Sequence, residues 1–417
     1  MKAAKVFLLA GLTGVITVNR CFGQTWTQTI APNSNWFCVA CSSDGTKLAA
    51  ATDIGVSNLG GIWISTNGGC AWTQTGAPGL DWSFICLSAD GNKLVAMDNY
   101  HSIIYHSADL GTTWATNSVP NNGVPYSWYQ IAISADGNKL FASANGYIYI
   151  SADLGVTWVS NSIPPIGYTA VSVASSANGT KLVAAANYPG QIFMSTNMGV
   201  TWTLVNFPWD VTLDSIACSA DGSTWVVGGG AAGDGSGIFV TTDSGATWIS
   251  NGVPALGHVY WSSVASSADG STLVGVATSQ NLDSKGASLI FTSTNFGMTW
   301  IQADAPVKAW RGVASSADGC RLVGLAGNWS VIIPPYPGSI YTAQIMPAPR
   351  VNITPLAGEF TLSWLVPSTN FVLQSSADLS SWMDLTNQPV LNLTKLQNEI
   401  SLPLSGGNGG FYRLKTP

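Results

Sequence analysis

The chain has 417 residues, of which 46% are hydrophobic and only 9% are charged, and it contains 45 glycines and 18 tryptophans. With so few charged side chains the surface must consist largely of Ser, Thr, Asn and Gly, a composition that suits β-structure with many tight turns. The formal net charge is -6 and only 15 residues are Lys or Arg, so the chain lacks the basic surface with which proteins bind nucleic acid or anionic membranes.

The N-terminus, residues 1–23, has the pattern of a secretory signal peptide. Two lysines precede an apolar run from Val6 to Val18, and small residues follow near Cys21. The run is too short to span a bilayer. Cys21 could instead indicate a lipoprotein, but Arg20 directly before it spoils the usual small-residue context. We therefore expect a secreted protein, extracellular or at the cell surface, with no membrane insertion once the signal is removed.

Two short motifs recur along the chain and alternate with each other. The first is an Asp-Gly or Asn-Gly pair, at Asp44, Asp90, Asp136, Asn178, Asp221, Asp269 and Asp318. The second is Ser/Thr-x-Asp/Asn-x-Gly-x-Thr/Ala-Trp, ending at Trp72, Trp114, Trp158, Trp202, Trp248 and Trp300. Seven units of about 45 residues, each with room for four short strands, predict an all-β, seven-bladed β-propeller over residues 24–343, because one small sheet could not bury its own faces.

Alternation of apolar and polar residues places four strands, A to D, in each unit. In the fourth unit we expect strands at Thr169–Ser175, Lys181–Ala186, Gln191–Ser195 and Thr201–Val205. Strand C carries Ile followed by an aromatic residue in all seven units, as at Ile192 and Phe193. Successive side chains face opposite sides of a strand, so we expect Ile to pack on one neighbouring blade and the aromatic ring on the other.

The seventh unit lacks a fourth strand of its own. After about Ala343 no second motif and no Trp follow, whereas Thr25–Thr29 at the other end of the chain matches strand D of the first complete unit, Ala71–Thr75. We predict that the N-terminal strand completes the last blade. Such closure removes an open sheet edge.

The repeated Ser/Thr-x-Asp/Asn-x-Gly-x-Thr/Ala-Trp motif resembles that of the Asp-box, or BNR-repeat, propeller superfamily. This superfamily includes sialidases, other glycoside hydrolases, sortilin-type receptors and photosystem assembly factors, and the resemblance covers roughly residues 24–343. Enzymes and non-enzymes share the motif, so it implies a fold and no activity.

The residues from 344 to 417 leave the repeat and form a second, small domain. Prolines interrupt the register, and new alternating segments appear at Phe360–Trp364, Phe371–Ser375, Ile400–Leu404 and Phe411–Leu414. We interpret this region as a small β-sandwich-like domain.

The six cysteines that follow the signal segment, Cys38, Cys41, Cys70, Cys86, Cys218 and Cys320, do not recur with the repeat. Six cysteines can pair in fifteen ways. Several lie where other units carry Ala, Leu, Ile or Ser, so small buried thiols are as compatible with the sequence as disulfides.

No enzyme signature emerges from the motif carboxylates. At the third position of the second motif three units carry Asp and three carry Asn, so the position needs a hydrogen-bond acceptor and not a charge. The sialidase chemistry that the resemblance raises needs three Arg and a Tyr activated by Glu, but the propeller contains only Arg311 and Arg321, and both Glu lie beyond it. We reject sialidase activity and predict no cofactor. Three scattered His do not form a zinc site, and we expect no metal.

A polysaccharide-cleaving glycoside hydrolase of another type stays open as the alternative. It would need two carboxylates across a cleft. The Asp residues of the propeller that belong to neither motif are Asp53, Asp81, Asp98, Asp210, Asp214, Asp234, Asp283 and Asp304.

Aromatic residues supply the favoured hypothesis. Eight residues before the Asp-Gly position, where strand A begins, five units carry Trp: Trp36, Trp82, Trp128, Trp261 and Trp310. Strand A lines the central channel of a propeller, and this end of it lies on the face with the longer loops, Gly228–Gly237, Thr278–Ala287 and Asn328–Gly338. We therefore predict a non-enzymatic binding or scaffold propeller that recognises a carbohydrate or a protein through these Trp and Arg311. The alternative is that each Trp packs between blades.

Overall fold

A computed structural model describes most of the two predicted domains. The described residues are 25–53, 60–98, 101, 103–117, 128–162, 171–187, 190–230, 237–251, 259–279, 288–327, 338–344, 352–356, 359–365, 372–376, 383–385, 390–392, 397–403 and 411–415. The predicted signal peptide, residues 1–23, lies outside them. They form strands and turns without helices, and none of their segments is a helix able to cross a membrane.

Seven four-stranded antiparallel sheets form a seven-bladed β-propeller, as predicted. Strands A are Trp36–Cys41, Trp82–Leu87, Trp128–Ile133, Val171–Ser175, Leu213–Cys218, Val259–Ser266 and Trp310–Ser315. Strands B are Leu48–Thr52, Leu94–Asp98, Leu140–Ala144, Leu182–Ala186, Trp225–Gly229, Leu273–Ser279 and Arg321–Ala326. Strands C are Ile62–Ser65, Ile103–Ser107, Tyr147–Ser151, Gln191–Ser195, Gly237–Thr241, Ser288–Ser293 and Ser339–Gln344. Strands D are Thr73–Gln74, Ala115–Asn117, Val159–Ser162, Thr203–Val205, Ile249–Asn251, Ile301–Gln302 and, for blade 7, Thr25–Gln28.

The strands A are innermost, and each contacts the strands A of the two neighbouring blades, so that they close a ring around the central channel. The antiparallel order puts the A–B and C–D turns on one face, which we call the turn face. The start of each strand A, together with the B–C and D–A connections, lies on the opposite face, which we call the mouth face.

A belt of seven backbone hydrogen bonds closes the ring on the turn face. The amide of each A–B turn donates to the carbonyl of the next, with N to O distances of 2.6 to 2.9 Å, from Ser43 through Ala89, Ala135, Ala177, Ala220, Ala268 and Ala317 back to Ser43. Side chains reinforce some of these steps: Lys47 Nζ donates to the Asp90 carbonyl at 2.7 Å. The Asp-Gly motif therefore joins the blades to one another as well as turning the chain.

The N-terminal strand completes blade 7, which confirms the predicted closure. Thr25–Gln28 pairs antiparallel with strand C of that blade, from Thr25 opposite Gln344 to Gln28 opposite Tyr341. Trp26 is only 8% exposed and packs against Trp310 of the same blade, with ring centroids 5.5 Å apart. Residues from the two ends of the propeller thus share one sheet and one hydrophobic cluster.

The paired Ile and aromatic residues of strand C divide between the two sides of the blade, as predicted. In blade 4, Ile192 belongs to the cluster shared with blade 5, around Leu213. Its neighbour Phe193 belongs to the cluster shared with blade 3, around Phe141. The strand bounds in this blade also agree with the sequence, to within two residues.

The motif carboxylates form turns. Asp153 in the C–D turn of blade 3 accepts hydrogen bonds from Ser151 Oγ at 2.8 Å, from the Thr157 amide at 2.8 Å and from Thr157 Oγ1 at 2.6 Å. Asn197, its counterpart in blade 4, accepts from the amide of Thr201 and donates Nδ2 to the hydroxyl of that Thr. The position requires an acceptor, which Asp and Asn both provide.

We therefore expect Asp153→Asn to leave the melting temperature of the protein within about a degree of the wild-type value, because Asn reproduces the turn at equivalent positions. Asp153→Ala should lower it measurably, since one backbone donor and two hydroxyl donors lose their acceptor. Thermal melts followed by circular dichroism check both. Equal losses in the two variants would mean that the charge, and not the acceptor, matters.

Stability should also fall in acid. Hydrogen bonds from the Thr113 hydroxyl and amide lower the pKa of Asp109 from 3.8 to about 2, and those from Thr247 do the same for Asp243. The folded state keeps these carboxylates ionised at a pH where the unfolded chain protonates them, so stability present above about pH 4 is lost as the pH falls toward 2. Melts from pH 7 to pH 2 should show this decline, and Asp109→Asn with Asp243→Asn should flatten it. A flat wild-type profile would contradict the prediction.

The C-terminal residues form the two small sheets of a sandwich-like domain. One sheet contains Asn352–Leu356, Glu359–Leu365, Gln397–Pro403 and Val390–Asn392, and the other contains Met383–Asp384, Val372–Ser376 and Phe411–Lys415. Leu362, Ile400 and Leu373 bury their side chains together, so both sheets contribute to one core.

All six cysteines between Cys38 and Cys320 are free thiols in the described residues. Burial raises the pKa of the Cys86 thiol to about 12 and that of Cys218 to about 12, so both are protonated at neutral pH. Of the two alternatives that the sequence left open, the structure contains free thiols, of which five are partly buried and Cys70 is exposed.

Candidate functional site

The five Trp of the binding hypothesis do not present exposed rings. Their side chains are between 0 and 2% exposed, and they are the following: Trp36, Trp82, Trp128, Trp261 and Trp310. The expectation of an exposed aromatic surface is therefore wrong, because each side chain is buried in the hydrophobic cluster that its blade shares with the preceding blade. The packing alternative describes them correctly.

These Trp fill the space between blades. Trp261 lies against Phe291 and Trp300 of the same blade, with each centroid distance 5.8 Å. Its ring covers Gly275 in strand B, where an added Cβ would stand 2.7 Å from the Trp261 Cζ3 atom. Gly324 takes the same role under Trp310. At these positions strand B has glycine, which leaves room for the Trp ring.

The residue that follows the Trp position in strand A is less buried in most blades: Phe37 is 40% exposed, whereas Ser83 and Val171 are buried. In six of the seven blades the pairing of strands A and B shifts near the start of strand A. This β-bulge comes directly after Trp36, Trp82, Trp128, Leu213, Trp261 and Trp310. A bulge leaves one residue unpaired and redirects its side chain. The bulged residues are Phe37, Ser83, Tyr129, Asp214, Ser262 and Arg311. They form a ring at the start of the innermost strands, which we call the bulge ring.

Two bulge-ring members from adjacent blades contact each other. The Arg311 guanidinium carbon stands 5.5 Å from the centroid of the Phe37 ring, a cation–π arrangement, and Phe37 is 40% exposed. Burial lowers the pKa of Arg311, and the charge of Asp53 in blade 1 opposes that shift. Arg311, predicted as a binding residue, therefore lies at the mouth, while the predicted Trp do not.

A second group joins three consecutive blades. Asp214 of blade 5 accepts a hydrogen bond from Asn187 Nδ2 of blade 4 at 2.6 Å, and the hydroxyl of Tyr260 in blade 6 also hydrogen-bonds this carboxylate. Burial raises the pKa of Asp214, although both hydrogen bonds act in the opposite direction. Burial and the Asp214 charge likewise raise the pKa of Tyr260. We call these three residues the Asp214 cluster.

Blade 2 contributes a His–Asp pair to the same face. His101 Nδ1 lies 2.5 Å from Asp98 Oδ2, and the His101 amide donates to the same oxygen at 3.0 Å. The Asp98 side chain is completely buried, whereas the His101 side chain is 47% exposed. The carboxylate thus holds the connection after strand B in place.

The B–C connections on the mouth face differ in length. The B–C connections of blades 2, 3 and 4 are short, consisting of residues 99–102, 145–146 and 187–190. Those of the other four blades are longer, consisting of 230–236, 280–287, 327–338 and 53–61. Most residues of the loops that we predicted to carry binding lie outside the described part. The B–C connections of blades 2 to 4 are thus shorter in sequence than those of the other blades.

Charge also differs between the faces. The described mouth face carries the carboxylates of Asp53, Asp81, Asp98, Asp210, Asp214 and Asp304, and the cations of Lys308 and Arg311. On the turn face, by contrast, Lys47, Lys93 and Lys139 reach the Asp-Gly turn of the next blade, and the carboxylates accept bonds within their own turns. The described part of the mouth face therefore has more carboxylates than cations.

A cavity of about 330 Å³ lies elsewhere, on the turn face between blades 7 and 1. Its lining includes Thr27, Gly68 and Arg321. Arg321 Nη1 donates to the Asp44 carbonyl at 3.2 Å, so its guanidinium binds the A–B turn of blade 1. This cavity lies where blades 7 and 1 meet to close the ring, and its lining side chains are less varied in chemistry than those of the bulge ring.

The structure thus places the predicted Trp in the packing between blades and Arg311 on the mouth face. The favoured sequence hypothesis singled out the Trp near the start of strand A, which is buried, and did not include Phe37, Tyr260 or Asn187. Asp214 appeared only among the carboxylates of the glycosidase alternative. One signal was present: the residue after that position changes from unit to unit among Phe, Ser, Tyr, Val, Asp and Arg. The bulge that redirects it is not visible in the sequence.

Known proteins resemble this chain in fold. No protein-family model and no curated protein matches it. Among solved structures, YCF48 from Cyanidioschyzon merolae is 14% identical with a TM-score of 0.56, covering 76% of this chain and 98% of its own. Virginiamycin B lyase from Staphylococcus aureus is 15% identical with a TM-score of 0.57, covering 78% and 99%.

The GH74 xyloglucanase from Xanthomonas campestris is 14% identical with a TM-score of 0.54, covering 82% of this chain and 59% of the enzyme. These similarities define the class of protein, a seven-bladed β-propeller, and they include enzymes and a protein solved bound to the D1 peptide. At such identity they show the shared fold alone. The Asp-box resemblance rests on the repeated motif.

Proposed function

We propose that this chain is a secreted, non-enzymatic binding propeller that holds a segment of a partner protein across the mouth of its channel. One observation carries the proposal. Positions that build the propeller keep similar residues in most units, but the bulge ring carries aromatic, acidic, basic and hydroxyl side chains at one equivalent position of successive blades. Architecture does not require that diversity, whereas recognition of one particular partner does.

The rest of the mouth fits an extended partner. Phe37 and Tyr260 offer half-exposed aromatic surfaces, each beside a charged bulge-ring residue, Arg311 or Asp214. Side chains of a polypeptide carry both apolar groups and charges, and therefore match such pairs better than the neutral hydroxyls of most polysaccharides. The prediction of a carbohydrate ligand depended on Trp rings that could stack on sugars. The five Trp are buried, so their rings offer no such surface.

The propeller YCF48 has been solved bound to a peptide, the D1 peptide. It supports the proposal by showing that a ring of this kind can hold a peptide. Its 16% identity to this chain carries no information about which peptide.

Selection from a displayed library of random 12-residue peptides, on the purified full-length protein, tests the proposal. The selected peptides should bind in calorimetry, and Phe37→Ala should weaken them by about 1–3 kcal/mol, as expected for an aromatic contact at the centre of an interface. Val156→Ala is the matched control, because Val156 is an exposed apolar residue, 69% accessible, on the turn face.

A glycan array and product analysis on polysaccharides run beside the selection. Glycans bound at the mouth with no peptide selected there would contradict the proposal, as would equal effects of the Phe37 and Val156 variants. Hydrolysis of a polysaccharide would establish the glycosidase alternative.

The secreted location forms part of the proposal and rests on the pattern of residues 1–23. Expression of the full chain in a bacterial host should yield a protein in the periplasm or medium that begins near residue 24. N-terminal sequencing of the purified protein measures this, and an intact Met1 in the cytoplasm would contradict it.

A further inference from the structure

We infer that the Asp214 cluster is a pocket for a basic side chain, Lys or Arg, of the bound protein segment. The inference rests on the proposed function and deepens it by naming the partner chemistry. It concerns Asp214, Asn187 and Tyr260, which belong to three consecutive blades and meet at one carboxylate.

The position of Asp214 is unusual for a solvated Asp. It is the bulged residue of its strand, since the pairing jumps from Leu213 opposite Gly229 to Ser215 opposite Gly228. The other half-buried or exposed carboxylates of the propeller that form turns accept two or three bonds from their own turn, as Asp153 does. Asp214 instead takes its donors from neighbouring blades, and its Oδ2 atom is buried without a hydrogen-bond partner among the described residues.

The electrostatics favour a cationic ligand. Asp214 is desolvated by burial, and its described donors are neutral groups, an amide and a phenol, so no formal charge among them compensates the carboxylate. The resulting rise in its pKa measures how poorly the site solvates the anion. An ammonium or guanidinium group would supply the missing positive charge and make a charge-assisted hydrogen bond.

Tyr260 gives the pocket an aromatic wall. Its side chain is 46% exposed while its hydroxyl bonds Asp214, so the ring stands beside the carboxylate and faces solvent. Cations bind to such ring faces. Gly230 lies close to this ring: an added Cβ at Gly230 would be 2.7 Å from Tyr260 Cδ2 and 3.1 Å from Tyr260 Cα. A larger residue at 230 must displace the ring.

The surrounding charge agrees with the inference. The described mouth face has more carboxylates than cations, and its two cations, Lys308 and Arg311, belong to the connection into blade 7 and to blade 7 itself. A basic segment is therefore attracted to the mouth from solution.

A purely structural role is the competing explanation, in which Asp214 only ties three blades together. The two explanations differ for Asp214→Asn. Asn keeps an acceptor for Asn187 Nδ2 and a polar partner for Tyr260, and it removes a poorly solvated charge. Because the raised pKa of Asp214 costs stability as the pH rises through it, the variant should melt at the same or a higher temperature than wild type at pH 7. A structural tie would instead lose stability.

The decisive experiment uses a 12-residue peptide selected on the wild-type protein, with each Lys or Arg replaced in turn by Gln. One replacement should weaken binding by wild type by about 10- to 100-fold, the range for a hydrogen bond between charged groups. The same replacement should change binding by Asp214→Asn less than about threefold. Asp304→Asn, which removes an exposed carboxylate on the same face, is the control and should behave as wild type.

Two further measurements separate the pocket from general charge. Gly230→Ala, which leaves every charge in place, should weaken the Lys- or Arg-containing peptide and spare its Gln version. Affinity of wild type for the basic peptide should rise with pH through the elevated pKa of Asp214, and that of Asp214→Asn should not.

The outcomes are distinguishable. If no peptide binds at the mouth, the proposed function fails and this inference fails with it. If peptides bind but contain no required basic residue, or if the Lys-to-Gln loss is equal in wild type and Asp214→Asn, the inference is overturned and the proposed function stands. A marked drop in the melting temperature of Asp214→Asn would support the structural explanation instead.

Discussion

Deletion of Thr25–Gln28 should lower the melting temperature of the protein by about 10 °C or prevent folding altogether. The strand pairs along its whole length with strand C of blade 7, and the buried Trp26 side chain alone accounts for about 3–5 kcal/mol when truncated. Its loss also exposes the edge of strand C and one face of Trp310. Calorimetry or circular dichroism melts measure the change.

A peptide corresponding to residues 24–31, added to the deletion variant, provides the sharpest control. It should restore much of the melting temperature in a concentration-dependent way, because it can pair with the vacated edge. The same peptide with Trp26 replaced by Ala should not. A deletion variant that melts like wild type would refute closure by the N-terminal strand.

Trp261→Ala should destabilise the protein by about 3–5 kcal/mol, as for other large aromatic residues truncated in a core. Trp261 is 1% exposed and fills the space over Gly275 between Phe291 and Trp300. No side chain nearby can expand into a cavity of that size without leaving its rotamer. Chemical denaturation measures the loss.

The neighbouring residue gives a matched comparison, because Tyr260 lies on the opposite side of the same strand and is 46% exposed. Tyr260→Ala should cost far less stability and should weaken peptide binding. Trp261→Ala, once folded, should bind the peptide as wild type does. If Trp261→Ala kept normal stability but lost peptide binding, the result would show that Trp261 contributes to the binding surface.

The propeller could be predicted because its determinants are local and occur seven times. The Asp-Gly turn, the second turn motif and the Ile-aromatic pair of strand C each specify a turn or a face within a few residues, and repetition removes the ambiguity of any single copy. Closure was predictable for the same reason, since Thr25–Gln28 repeats a strand D that has no blade before it.

The site depends on features that no single unit contains. Asn187, Asp214 and Tyr260 are separated in sequence and meet because three blades pack side by side. Hydropathy does not tell whether a Trp near the start of a strand is buried between blades or exposed at the channel mouth. Here Gly275 and Gly324 have no side chain, which leaves room for the rings of Trp261 and Trp310 inside the propeller. The bulges that redirect Phe37 and Arg311 arise from strand pairing, which sequence alternation does not reveal.

The belt of seven hydrogen bonds on the turn face makes this repeat protein differ from a linear solenoid. In a solenoid the terminal repeats have one neighbour and fray first. Here every A–B turn donates to one neighbour and accepts from the other, so no blade is terminal. Loss of one bond leaves an open series of six whose two ends belong to adjacent blades. The amide protons of Ser43, Ala89, Ala135, Ala177, Ala220, Ala268 and Ala317 should therefore exchange with solvent at similar rates, as one cooperative unit.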